Sequence, residues 1–467
     1  MSEMRVTLDP GTSVGSAVHE SVPRRSSPPV DAAPQAPVIA ILGLGYVGLP
    51  TMLSARSRGA RTIGIDHSES RLKAIRERRV DLIPDDHDRL SRHVDDGGEF
   101  ILTSSLAALA EADAVLICVP TPVDDHREPD LRLLRAACSD AVRHARPGQT
   151  LILTSTSYPG TTRDLLAQPL EAQGFVVGQD VFVASSPERI DPGNPMQHSD
   201  VPRVVGGVTP RCLARATEIV RLLADQVVQV SSTEAAEMTK LLENSFRAVN
   251  IAFANEIADV CDTLGVDARE VIEAAATKPY GFMPFYPGTG VGGHCIPCDP
   301  HYLLWDLRSR NASAPILAEA MEAIASRPMA IVDTIGTSLS SVGRGIGGAR
   351  ILVVGVAYKP GVEDARESPA ISIARELRSR GAVVDVHDPL VPSIRLDDQS
   401  ILLSIKHPDP AAYDVALVHA LHPGVDYAWL REVRIVIDPS GGTGYARDHV
   451  VDRRMIAESR TPLPVGE

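Results

Sequence analysis

The chain has 467 residues, 44% apolar and 23% charged. These are the proportions of a globular protein of about three domains, and they exclude a fibrous or wholly disordered chain. Its 46 basic and 60 acidic side chains give a formal net charge of −14, which excludes a broad basic face for nucleic acid but leaves room for a local pocket for a phosphorylated metabolite. Six cysteines are too few for a disulfide scaffold, so a reducing compartment, the cytoplasm, is expected.

Residues 1–36 are rich in Ser, Pro, Ala and Val without a steady period and read as a disordered tail. Arg24 and Arg25 ahead of the apolar run Val38–Leu49 resemble an export signal or a short membrane span. The run contains Gly43, Gly45 and Gly48 and is too short to cross a bilayer, so neither export nor a membrane partner is expected. From Val38 onward, β-branched runs at Val38–Leu42, Thr62–Asp66, Ala114–Val119, Thr150–Leu153 and Val181–Ala184 alternate with helical stretches. That alternation predicts a parallel sheet covered on both faces. A nearly continuous helix is predicted from Thr233 to Ala276, irregular chain from Pro279 to Pro300, and helix again over Ala314–Leu339. After the glycine-rich linker Gly343–Gly348 the alternation returns: strand Arg350–Val354, helix Pro369–Arg380, strand Val383–Val386. The expected fold is α/β, with two Rossmann-like doubly wound domains (37–206 and 341–467) flanking a central helical domain (207–340).

Gly43, Gly45 and Gly48 lie between the first strand and the following helix, with Tyr46 and Val47 inside the turn. The first glycine suits a tight turn, the second lets a pyrophosphate approach the backbone, and the third lets helix and strand pack closely. Free N–H groups at the helix start then face the phosphates. Asp66, at the end of the next strand, suits the ribose hydroxyls and repels a 2′-phosphate, which predicts NAD rather than NADP.

The second constellation is Gly288-Thr-Gly-Val-Gly292-Gly-His294-Cys295-Ile-Pro-Cys298-Asp299. Crowded glycines allow a backbone to fold closely around a ligand, and a thiol at their end is a candidate nucleophile if electropositive neighbours favour its thiolate. A metal cluster from His294, Cys295, Cys298 and His301, or a Cys295–Cys298 redox pair, are alternatives. No metal is expected, because tetrahedral sites usually draw ligands from two separated pairs. Lys240 and Asn244, four apart on one helix face, suit stabilisation of an oxyanion, or are simply solvated. Two loops after strands, around Thr156 and Glu188, lie where sites gather in open α/β sheets, or are ordinary turns.

These segments resemble the UDP-glucose/GDP-mannose dehydrogenases. The resemblance is carried by GLGYVGLP (43–50), TSTSYPGTT (154–162), SPERIDPGN (186–194), EMTKLLENSFRAVNIAFANE (237–256), FYPGTGVGGHCIPCDP (285–300) and VAYKPGVEDARESPA (356–370). The loop sequences look most like the branch acting on UDP-N-acetylhexosamines, with UDP-N-acetylglucosamine favoured over UDP-glucose or GDP-mannose. The resemblance implies an NAD domain, a central dimerisation domain and a nucleotide-sugar domain, and a homodimer formed through the central helices. It implies two successive oxidations at C6, with Cys295 as nucleophile, Lys240 and Asn244 as oxyanion donors, Asp299 and Thr156 orienting or deprotonating water, and Glu188 as an acid–base carboxylate. Arg71, Thr121 and Arg366 fall on NAD-contacting positions. Tyr358 and Lys359, and with them Arg247, Asn250, Phe285, Tyr286, Gly288 and Gly292, fall on the sugar-nucleotide side. This chain departs from the family pattern at Thr154, at Cys298, at Ile324 and Arg327, and at Ser440, where an arginine contact is expected. A non-catalytic nucleotide-sugar-binding protein is the alternative of another class.

Overall fold

A computed structural model of the chain describes residues 36–124, 126–189, 200–293, 295–396, 399–444 and, for the backbone alone, 448–450. The tail 1–35, Asp191 with the rest of the IDPGN segment, and His294 lie outside the described residues.

Eight strands build the first sheet: β1 Val38–Leu42, β2 Arg61–Ile65, β3 Phe100–Thr103, β4 Ala114–Ile117, β5 Thr150–Leu153, β6 Phe182–Ser185, β7 Arg203–Gly207 and β8 Val227–Val230. Their order is β3-β2-β1-β4-β5-β6-β7-β8. All neighbours are parallel except β6 and β7. The order reverses direction between β1 and β4, and in a doubly wound sheet the crevice beyond that switch point holds the ligand. Alternate residues of the central strands, Ile39 and Ile41 against Ala40 and Leu42, feed two separate cores on the two faces. Burial on both sides is why these strands read as unbroken apolar runs. The sheet extends past residue 206 to Val230, so the expected division there falls within β7.

The long helix Thr233–Leu264 starts where the Ser232 hydroxyl accepts the Ala235 N–H at 3.1 Å. It stops at Gly265, whose φ of 69° is a left-handed conformation that glycine adopts at low cost. The predicted continuous helix to Ala276 is therefore two helices, the second at Ala268–Ala276 and capped by Asp267. A helix that the sequence reading did not anticipate, Asp299–Ser309, begins directly after the Cys295 turn. The helix Pro315–Ser341 packs along the long helix and leads to the second sheet.

That sheet contains β9 Arg350–Val354, β10 Val383–His387, β13 Val415–Val418, β14 Ile435–Ile437 and β15 Asp448–Val450, in the order β10-β9-β13-β14-β15. A small antiparallel pair, β11 Ser393–Arg395 and β12 Ile401–Leu403, stands apart. The switch point lies between β9 and β13, where Gly355 turns with φ 78° and lies so close to Ala420 that a Cβ would overlap its carbonyl. Two doubly wound sheets thus present their crevices to the helical middle.

Candidate active site

The dinucleotide turn is built as the glycine spacing predicts. A Cβ at Gly43 would overlap the Cys118 carbonyl, and one at Gly48 would overlap the Gly43 carbonyl, whereas one at Gly45 would meet nothing within 4 Å. The first and third glycines are therefore required by the protein's own packing, and the second leaves room for a pyrophosphate. Asp66 accepts the Leu44 N–H and the Ser68 N–H, both at 2.9 Å, and Arg71 Nε donates to the Leu44 carbonyl at 2.8 Å. These contacts fix the turn and hold an acid at the crevice. The residues fit an NAD molecule.

The long helix turns one buried polar stripe, Glu237, Lys240, Asn244 and Asn255, toward the rest of the protein. Each member but Lys240 grips a loop or a helix end. Glu237 accepts the Gly160 N–H at 2.6 Å, the Thr162 N–H at 2.8 Å and the Thr162 hydroxyl at 2.6 Å, which locks the YPGTT turn. Burial raises its pKa to about 7 despite these donors. Asn244 donates to Asp299 Oδ2. Asn255 accepts the Gly288 N–H at 2.9 Å, while Arg327 donates to the Gly288 carbonyl at 3.1 Å and pairs with Asp259. Glu237 and Asn255 were not singled out in the sequence. The signal was there, because both share the helical period of Lys240 and Asn244.

Asp299 opens its helix with its own N–H bound to the Cys295 carbonyl at 2.8 Å. Asp299 is 3% exposed. Burial raises its pKa to about 6, opposed by the charge of buried Lys240 and by the Asn244 amide. Cys295 is partly exposed one turn away, and Cys298 is buried. Burial and the nearby Asp299 charge push the Cys298 thiol up to about 12, although the Val123 N–H bonds to its sulfur. The same β4 loop is held by Tyr302, whose hydroxyl donates to the Pro122 carbonyl at 3.1 Å and bonds the Thr121 side chain. Thr121 and the Cys295 loop are thereby joined. Among the described residues, no three His, Cys, Asp or Glu side chains are grouped to hold a metal.

The glycines of the thiol loop meet a partner the sequence did not reveal. A Cβ on Gly292 would crowd Tyr358 and the Glu367 carbonyl, and one on Gly293 would crowd the Tyr358 ring. Gly292 and Gly293 are thus needed first for contact with the second sheet's crevice. Gly293 N–H donates to the Arg366 carbonyl at 3.2 Å. Arg366 forks onto Asp364 and stacks 4.0 Å over the Tyr46 ring of the dinucleotide turn. His419, neutral because burial lowers its pKa to about 4, donates to the Ala357 carbonyl and accepts the Thr289 hydroxyl. The thiol loop is therefore clasped between both crevices.

The remaining predicted residues are spread wider. Glu188 pairs at 2.6 Å with buried Arg203, beside Cys118 and Thr154 at the strand ends. Thr156 follows β5 next to Ser155, whose hydroxyl accepts the Val119 N–H at 2.9 Å. Val47 closes the dinucleotide turn, and its carbonyl accepts the Thr51 N–H at 3.1 Å. Lys359 lies over the Tyr358 ring. Arg247 is half-buried on the Lys240 side of the long helix, whereas the Asn250 amide donates back to the Phe246 carbonyl. Phe285 packs edge-on against Phe246, and Arg269 covers Tyr286 while reaching the Ser440 carbonyl. At the position where an arginine was expected, Ser440 instead closes a turn on Asp438.

Sequence profiles of the UDP-glucose/GDP-mannose dehydrogenase family match the chain in three consecutive parts: the NAD binding domain over residues 38–224, the central domain over 234–325 and the UDP binding domain over 352–441. The chain belongs to this family. It is an oxidoreductase that uses NAD and carries the family's UDP binding domain. A UDP-N-acetyl-D-mannosamine dehydrogenase of Yersinia pestis is 35% identical over 72% of this chain and 81% of its own. A UDP-N-acetyl-D-glucosamine 6-dehydrogenase of Pseudomonas aeruginosa is 31% identical over 82% and 90%. The solved structure of a UDP-D-ManNAc dehydrogenase from Pyrococcus horikoshii superimposes with a TM-score of 0.77 at 30% identity, covering 86% of this chain and 95% of its own. Among the described residues no helix is long and apolar enough to cross a membrane.

Proposed function

We propose that this family member oxidises C6 of a UDP-N-acetylhexosamine twice, to the uronate, through a covalent adduct on Cys295. The observation that carries the reading is the buried group of Asp299, Asn244 and Lys240 at the helix start that follows Cys295. NAD, when bound, would supply the hydride acceptor for the two oxidations. It would be held by Gly43, Gly45, Tyr46, Val47, Gly48, Asp66, Arg71, Thr121 and Arg366.

The chain's own residues do the rest. The Cys295 thiolate adds to the C6 aldehyde and keeps it from escaping as a thiohemiacetal; the second oxidation converts this adduct to a thioester. Lys240 and Asn244 donate to the oxygen that carries negative charge at each addition. Asp299, with Thr156, orients water and takes its proton as the water attacks the thioester, and Cys295 leaves as thiolate. Glu188, steadied by Arg203, serves as a further acid–base carboxylate. The sugar nucleotide would lie along Arg247, Asn250, Phe285, Tyr286, Gly288, Gly292, Tyr358 and Lys359.

The loop motifs favour the glucosamine epimer, and the relatives from Yersinia and Pyrococcus favour mannosamine. Assaying UDP-N-acetylglucosamine, UDP-N-acetylmannosamine, UDP-glucose and GDP-mannose side by side ranks them. We expect turnover of an N-acetylhexosamine with two NADH formed per sugar, and no uronate from Cys295→Ser although it still binds NAD. One NADH per sugar, or uronate from Cys295→Ser, would refute the mechanism. Binding of NAD and UDP-sugar without any NADH would favour a non-catalytic binding protein. The reading places the enzyme in the cytoplasm as a homodimer.

A further inference from the structure

The sequence Cys295-Ile-Pro-Cys298 forms one hydrogen-bonded turn, with Cys298 N–H donating to the Cys295 carbonyl at 3.2 Å, immediately before the helix Asp299–Ser309. An i to i+3 turn brings its ends within about 7 Å, overlapping the roughly 4.4–6.8 Å that a disulfide spans between Cα atoms. The two thiols are unlike. Cys295 is partly exposed, whereas Cys298 is 5% exposed and near enough to Cys295 to be influenced by its charge. Cys118, Cys138, Cys212 and Cys261 are buried among sheet and helix residues and share no such turn with Cys295.

We propose that Cys295 and Cys298 are an oxidative modification site: a hydroperoxide oxidises Cys295, and Cys298 closes a reversible disulfide onto it. In the first step the Cys295 thiolate takes the terminal oxygen of hydrogen peroxide. The sulfur loses two electrons, the O–O bond breaks, and with one proton the other oxygen leaves as water. In the second step the Cys298 sulfur attacks the sulfenic sulfur, the S–O bond breaks, and the hydroxide departs with the thiol proton as a second water. Cys298, buried and held protonated until that moment, acts as the resolving thiol and not as a rival nucleophile. The disulfide stops turnover and keeps Cys295 from irreversible oxidation to the sulfinic acid.

The loss of turnover rests on the function proposed above, but the disulfide is read independently by mass. Full-length reduced protein is treated with excess hydrogen peroxide, alkylated, digested and mapped, and a parallel sample is returned to dithiothreitol and assayed. We expect a Cys295–Cys298 disulfide in the wild type and near-complete recovery of its starting activity. In Cys298→Ser we expect sulfinic acid on Cys295 and roughly tenfold less recovery relative to that variant's own starting rate. Sulfinic acid on wild-type Cys295 with Cys298 still alkylatable, or equal recovery in Cys298→Ser, would overturn the proposal. Absence of NADH from unoxidised protein would overturn the dehydrogenation reading alone, since the mass result does not depend on it.

Discussion

Asp299 shows how one carboxyl can be tuned by opposing effects. Taking it out of water favours the neutral acid, while Lys240 and Asn244 favour the carboxylate, and the balance leaves it near 6. A base must be ionised to accept a proton, so kcat for carboxylate release should fall about tenfold per pH unit below about 6. Lys240→Met removes the opposing charge and should move that limb to higher pH; an unshifted limb would remove Asp299 from the role. At this scale the sequence was most legible where chemistry demands one residue type. Gly43, Gly48 and Asp66 could be assigned from spacing because few alternatives satisfy the sterics. The purpose of Gly292 and Gly293 could not, since their close partner Tyr358 is distant in sequence. Ser440 was read as a missing contact; the neighbourhood of Arg269, which reaches its carbonyl from the central helices, is visible only in three dimensions.

Among the elements, the long helix organises the site. Its buried stripe holds the YPGTT turn through Glu237, the thiol loop's helix through Asn244 and the FYPG loop through Asn255. Burial makes the folded protein hold the Glu237 proton more tightly than the unfolded chain does. The folded state therefore loses stability, on the order of 3 kcal/mol from this group, as pH rises from about 4.5 to about 7. Glu237→Gln should flatten that part of the pH–stability curve, measured by urea unfolding of both proteins at several pH values. Parallel curves would contradict the assignment. The helix Asp299–Ser309 escaped the sequence reading because Pro300 was taken as part of an irregular stretch, yet proline is tolerated in a first helical turn, where its N–H would have no intrahelical partner. Strands β3 and β8 were missed for another reason. Both are four-residue edge strands, only partly buried, and their apolar residues Phe100–Leu102 and Val227, Val228 and Val230 are too few to stand out from the helical stretches beside them.

Across the whole molecule, the two-sheet plan was legible because parallel βα alternation leaves a strong pattern, whereas the clasp between the parts was not. The stack of Arg366 on Tyr46 and the His419–Thr289 bond join segments well over a hundred residues apart in the chain. The outer face of the long helix carries Leu242, Phe246, Phe253, Val260 and Leu264, each at least 46% exposed, at helical spacing. A second copy covering this stripe would form the proposed dimer. Leu242→Glu with Phe253→Glu should shift the mass in solution from dimer to monomer by light scattering; a dimer that persists would place the interface elsewhere.

The proposed turnover depends on a covalent bond between Cys295 and the sugar carbon that water, directed by Asp299, later breaks. The most direct test is the peptide mass of Cys295 in Asp299→Asn after incubation with NAD and the best UDP-sugar. We predict a uronyl thioester on Cys295, accompanied by a burst of NADH that then stalls. An unmodified Cys295 in protein that still forms NADH and uronate at the wild-type rate would contradict it.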